Sequence, residues 1–409
     1  MRRYFLGWTL LFFLILAGVA LANLVTDPYS IYRFVQARGF NEFKPRAQQQ
    51  GRLMKIHGLS FERPRALILG NSRAEMGFDP MHRAWPQNTR PVYNAALAGT
   101  SLTSALDFAR RSLDIAAPRT IVLGVDFKDF LFDSHKALAP QAIAVQRNSQ
   151  LQQIAARAKE LSTTVLSLDA LIDSALTIKA QHEAYPADLR QDGFNPTSDY
   201  IGIAKNEGYY TMFRQRDQEN AKAYGRDGKD LFAAGTRSSP DFETLDAIIR
   251  LCRERGIALK LIIYPYHAHL LEMFHAARLW DPFEEWKRSL VKLTAQMGKG
   301  ENSALVLWDF SGYHVYATEA IPRAEDQYHA AAMRWYWEAG HFKKDLGDIM
   351  LDRILTNTSS ATEDRFGVVL TPNNIEQHLA ALRQSRRHYA STHPEDVREV
   401  ETMIAQARR

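Results

Sequence analysis

From Tyr4 to Thr26 the chain carries no charged residue, and Arg2 and Arg3 stand directly before this run. About 20 apolar residues in an α-helix cross a hydrocarbon core, so the run predicts one membrane-spanning helix. The positive-inside rule keeps Arg2 and Arg3 on the cytoplasmic side and sends the remainder outward. Ala20-Leu21-Ala22 also fits the small-residue pattern of a signal-peptide cleavage site. The apolar run is longer than the roughly 7–15 residues of an ordinary signal core, which favours a retained anchor. Either way residues 27–409 leave the cytoplasm. In a bacterium this describes a single-pass inner-membrane protein with its bulk in the periplasm or outside the cell.

Residues 27–60 read as a polar, basic connector containing Pro28 and Pro45. After it, short apolar runs alternate with amphipathic stretches. Arg65–Leu69, Pro91–Ala96, Thr120–Val125, Ala258–Tyr264 and Ala304–Trp308 predict buried strands. Helical spacing is found over 102–116, 244–255, 284–297 and 341–355. Strands separated by helices of this length predict an α/β fold, a mostly parallel sheet with helices on both faces. This domain is expected over 61–355. An insertion at about 134–238, opening with a helical pattern over 146–178, interrupts it and has the size of a cap or a partner surface. Residues 356–409 form a polar tail with one or two amphipathic helices.

Composition changes this picture little. The 409 residues are 46% hydrophobic, 24% charged and 11% aromatic, ordinary values for a globular chain. The net charge of +5 arises from 51 basic and 46 acidic residues that interleave along the sequence. No basic stripe forms, which argues against nucleic-acid binding. The single cysteine, Cys252, cannot form an internal disulfide and sits in a helical pattern as a small buried residue would. No Cys/His cluster has metal-ligand spacing, and His267 and His269 with Asp309 lack a further ligand; no metal or cofactor is expected.

Candidate chemistry gathers where the predicted strands end, the edge on which open α/β sheets collect functional groups. Ser72 follows a strand and Gly70 at the start of a predicted helix, where its N–H faces developing negative charge. A serine there often only caps the helix, and as a nucleophile it needs a base. His341 is the best candidate base, predicted to open the last helix. Glu338 lies three residues upstream, a spacing that lets its carboxylate fix the imidazole tautomer.

Gly70-Asn71-Ser72, Gly99, Gly124-Val125-Asp126 and Glu338-x-x-His341, in that order, resemble the SGNH/GDSL hydrolase superfamily over about residues 60–355. With an N-terminal anchor and a long insertion, the chain is most similar to the envelope branch, which includes the alginate O-acetylation proteins and the D-alanyl transfer protein of teichoic-acid systems. The resemblance implies an SGNH-like three-layer sandwich with Ser72 as nucleophile, His341 as base and Glu338 as orienting carboxylate. It implies an oxyanion hole from the N–H groups of Ser72 and Gly99 and from position 126. Three residues depart from the pattern. Asn71 and Glu338 replace aspartates with modest consequence, whereas Asp126 replaces an asparagine donor. An ionised carboxylate there would repel the tetrahedral intermediate, unless Asp126 is protonated, pairs with Arg73 or Lys128, or the hole is built differently.

Arg73, Tyr264, Tyr266 and His267 are expected to contact substrate at the mouth of the site, the aromatic rings suiting sugar stacking. Trp335, Tyr336 and Trp337 offer a second platform, with adjacent residues pointing in different directions. The expected function is a membrane-anchored extracytoplasmic serine esterase or O-acyltransferase. It would act on acyl groups, foremost O-acetyl, of an exported polysaccharide or envelope glycan, and an acyltransferase would need an integral-membrane acyltransferase partner. The alternative is a non-catalytic glycan-binding or assembly subunit with a degenerate SGNH fold, favoured by Asp126 and the insertion.

Overall fold

A computed structural model describes residues 1–133, 150–226, 228–232, 239–297, 305–323, 325, 332–356 and 366–409. Within the expected insertion, 134–149, 227 and 233–238 therefore lie outside the described residues, as does Ala304 of the expected fifth strand. The chain divides into two compact units, 1–61 with 142–202, and 62–141 with 203–409.

In the first unit, α1 (Arg2–Thr26) is the one described helix that by itself is long and apolar enough to span a membrane. It stops at Asp27, whose left-handed backbone (φ 47°) turns the chain. The Asp27 carboxylate then accepts the N–H groups of Ile31, Tyr32 and Arg33. Asn41 and Lys44 donate to the last carbonyls, Val25, Thr26 and Asp27. The helix end is thereby satisfied inside protein rather than in lipid. The segment read as a connector thus folds back and caps α1, and α2 (Gly51–Glu62) follows it. The unit is completed by part of the expected insertion, including helices Gln150–Thr164 and Leu168–Ala180.

The second unit is built on a six-stranded sheet. Its strands in chain order are β1 (Ala66–Leu69), β2 (Val92–Asn94), β3 (Thr120–Val125), β4 (Ala258–Ile263) and β5 (Val306–Asp309). A short hairpin, β6 (Tyr336–Glu338) with β7 (His341–Phe342), stands apart, and β8 (Val368–Val369) closes the sheet. The spatial order is β8-β5-β4-β3-β1-β2, parallel except for β8. The order reverses beside β1, so the ends of β1 and β3 flank a topological switch point, where such sheets bind ligands. The central strands are apolar runs buried on both faces, as parallel sheets require.

Helices α3 (Ser72–Gly77), α4 (Leu102–Ile115) and α5 (Phe127–Phe130) follow β1, β2 and β3. Tyr209–Tyr224 comes from the expected insertion, and 240–254 and 280–297 match expectation closely. Ile375–Thr392 and Pro394–Ala407 confirm helices in the C-terminal stretch, and they pack into this unit. One expected element shifts: the last helix of the sheet domain begins at Lys344, and His341 belongs to the hairpin before it.

Candidate active site

Ser72 opens α3 immediately after β1. Asn71, not Ser72, caps that helix, its side chain accepting the N–H of Arg73. The serine hydroxyl is therefore spared capping and meets Nε2 of His341 at 2.7 Å. His341 in turn gives Nδ1 to Oε1 of Glu338. The β6–β7 hairpin produces this second contact, because Glu338 and His341 pair directly across its Ala339-Gly340 turn. A turn of two residues brings the carboxylate and imidazole side by side without any helix.

Glycines bring the serine and the hairpin together across 269 positions of sequence. A Cβ at Gly77 would enter the Phe342 ring of β7, and one at Gly347 would strike the Gly77 carbonyl. Only hydrogen at these positions lets α3, β7 and the helix Lys344–Thr356 approach this closely. Asn94 at the end of β2 holds α3 from the other side, donating at 2.9 Å to the carbonyls of Ala74 and Phe78.

Glu338 is 3% exposed. Burial acts against its charge, but His341, Arg216 and the Gly340 N–H outweigh burial and hold its carboxyl at about 2. Gly340 donates at 2.7 Å, and Arg216 Nε lies 3.4 Å away. Arg216 comes from helix Tyr209–Tyr224, and sequence reasoning missed it. No local motif announces it, because its relation to Glu338 exists only once that helix packs on β6.

Asp126 does not supply an oxyanion donor. Its carboxylate caps α5 through the Lys128 N–H and accepts from Tyr266 Oη at 3.0 Å, Asn71 Nδ2 at 3.0 Å and the Arg73 guanidinium. A carboxylate engaged this way has no proton to offer, and its charge is neutralised by Arg73 rather than aimed at a substrate. Arg73 is correspondingly not a substrate contact: it is buried, with Nε donating to the Gly340 carbonyl. It ties the serine turn to the histidine turn and to the end of β3. The N–H groups of Ser72 and Gly99 have no acceptor among the described residues, and Gly99 is exposed with φ 71°.

The expected aromatic platform is not at the surface. Tyr264 and Tyr266 are fully buried. A Cβ on Gly70 or Gly124 would meet the Tyr264 hydroxyl, so these glycines make room for that ring under the sheet edge. Tyr336 and Trp337 are buried too. His267 is enclosed, its Nε2 donating to the Glu319 carbonyl at 2.8 Å, and burial pushes it down to about 3 as a neutral imidazole. Asp309 pairs with Lys287 at 2.6 Å and His378 at 2.8 Å.

A second histidine–carboxylate pair lies elsewhere in this unit. His269 Nδ1 meets Asp217 Oδ2 at 3.0 Å, and Nε2 stands 4.0 Å from Asp396. Burial disfavours charge on His269, but Asp217 and Asp396 prevail and push it up to about 9. The pair borders a cavity of about 130 Å³ that Phe213, Ile321 and Tyr389 also line.

No protein-family model matches this sequence, and neither does any curated protein.

Proposed function

We propose that this chain is a membrane-anchored serine esterase or O-acyltransferase of SGNH-like fold, acting outside the cytoplasm on acyl groups of an exported polysaccharide or envelope glycan. The supporting observation is the unbroken relay Ser72 Oγ, His341 and Glu338, with 2.7 Å between hydroxyl and imidazole. His341 Nε2 takes the hydroxyl proton as Oγ attacks the ester carbonyl, and Glu338 stabilises the imidazolium that results. The free N–H groups of Ser72 and Gly99 would receive the oxyanion, the first with the added field of the α3 N-terminus. Collapse expels the sugar alcohol, which takes its proton from His341, and leaves an acyl-serine. Water then regenerates the enzyme as an esterase, or a sugar hydroxyl takes the acyl group in a transferase. The acyl donor of a transferase would come from an integral-membrane partner.

Asp126 remains the argument for a non-catalytic glycan-binding or assembly subunit, since two oxyanion donors are fewer than three. Its neutralisation by Arg73 removes the repulsion that would have made this argument decisive. Full-length protein in detergent should release p-nitrophenol from p-nitrophenyl acetate, and Ser72→Ala should stop the release. Equal rates for the two proteins would sink the esterase reading. With a glycan acceptor present, transfer of labelled acetyl to sugar separates transferase from esterase.

A further inference from the structure

The helix Leu168–Ala180 carries its polarity inverted. Its buried residues are Ala170, Asp173, Ser174, Thr177 and Ala180, all small or polar. Leu168, Ile172 and Ile178 point outward at 69%, 59% and 39% exposure. A helix that faces water does the opposite, turning its apolar stripe to the protein. The preceding helix Gln150–Thr164 extends the outward apolar surface with Leu151, Ile154 and Leu161, spaced to share one side. A surface of six large apolar side chains on one helix pair marks a contact with something other than water.

The buried polar face says where this surface lies. Asp173 accepts from the Tyr29 hydroxyl at 2.7 Å and from Arg46 at 3.1 Å. Asn23, in the last turn of α1, donates to the carbonyls of Val165 and Ser167 and accepts from Ser174. The bend between the two helices is thus fixed beside the outer end of the apolar helix, where α1 would leave the hydrocarbon. Taken as one bent element of 51°, Ile154–Thr164 with Leu168–Ala180 is apolar enough to enter a bilayer. Arg157, Lys159, Glu160, Asp169 and Lys179 within it suit a position in the interface, with charges among headgroups, rather than a full crossing.

We propose that this helix pair is a second membrane contact, lying in the outer leaflet beside α1 with Leu161, Leu168 and Ile172 among the acyl chains. The proposal rests on α1 occupying the bilayer and is independent of any catalysis at Ser72. One span leaves a protein free to swivel; a span plus an interfacial pair fixes the tilt and rotation of the first unit against the bilayer.

Single-cysteine labelling tests this in the full chain. The native Cys252 is buried, and burial pushes its thiol up to about 12, so added cysteines label selectively. Leu161→Cys, Ile172→Cys, Leu11→Cys within α1 and Thr402→Cys, an exposed position of the helix Pro394–Ala407 in the second unit, would each carry an environment-sensitive fluorophore. The proteins are reconstituted in vesicles of phosphatidylcholine and phosphatidylglycerol. Brominated lipid should quench the labels at 11, 161 and 172 several-fold more than the label at 402, and aqueous iodide should show the reverse order. Labels at 161 and 172 that behave like the one at 402 overturn the proposal. Labels shielded from both quenchers overturn it as well, by showing that protein, such as a second copy, covers the surface. If brominated lipid fails to reach position 11, the anchor reading falls and this inference falls with it.

Discussion

Two histidines in the sheet unit give Nδ1 to a buried carboxylate, His341 to Glu338 and His269 to Asp217. Beyond that bond they diverge. His341 Nε2 meets a serine hydroxyl held at the start of a helix, whereas His269 Nε2 has no hydrogen-bond partner among the described residues and lies 4.0 Å from Asp396. In both places the carboxylate orients the ring by accepting from Nδ1. Only a nucleophile on the far nitrogen turns such a pair into a candidate for acyl transfer. Two carboxylates near His269 instead favour a standing cation, which cannot act as a base at neutral pH.

Activity should separate the two histidines most sharply. His341→Ala should reduce ester hydrolysis by roughly 10³-fold or more, while His269→Gln, which keeps a donor near Asp217, should leave the rate within a few-fold. Steady-state assays on both variants decide this, and a large loss from His269→Gln would place the chemistry at the wrong histidine. Arg73→Met comes next, because it strands Asp126 as a buried charge. We expect a loss of about 3–5 kcal/mol in thermal or denaturant unfolding, recovered in part by adding Asp126→Asn. If Arg73→Met were tolerated, the guanidinium would not be what neutralises position 126.

The smallest expected effect is on stability against pH, where the two pairs should act in opposite directions. Glu338 is lowered from 4.5 to about 2 by its partners, so its contribution is complete above pH 4.5 and is lost as acid approaches pH 2. His269 is raised from 6.5 to about 9, so its contribution is complete below pH 6.5 and is lost as pH climbs through 9. Melting temperatures across the alkaline range should fall for the native chain and fall less for His269→Gln. Parallel alkaline curves for the two proteins would show that His269 is not charged in the folded state.

Much of the fold was legible because parallel strands are buried on both faces and therefore read as unbroken apolar runs. β1, β3 and β4 lie within a residue or two of where those runs predict them. Ser72 and Glu338-x-x-His341 were legible because each is a local group: a residue after a strand, and a carboxylate three positions before an imidazole. The conformation of the latter was not. Helical spacing and a tight hairpin both bring such residues together, and the register of β6 on β7 chose the hairpin.

The apolar helix, the α/β alternation and the candidate serine, histidine and glutamate follow from local sequence, since these depend on neighbouring residues and on the period of burial. Tertiary structure alone decided how Asp126 is used, because its four donors come from positions 71, 73, 128 and 266 and meet only at the switch point of the sheet. It also decided that Tyr264 and Tyr266 are core, since the space they fill is created by Gly70, Gly124 and the packing around Phe127 rather than by their own neighbours. The inverted helix Leu168–Ala180 belongs to the same class. Its pattern is amphipathic in either orientation, and only its docking against Asn23, Tyr29 and Arg46 shows that the apolar side faces out.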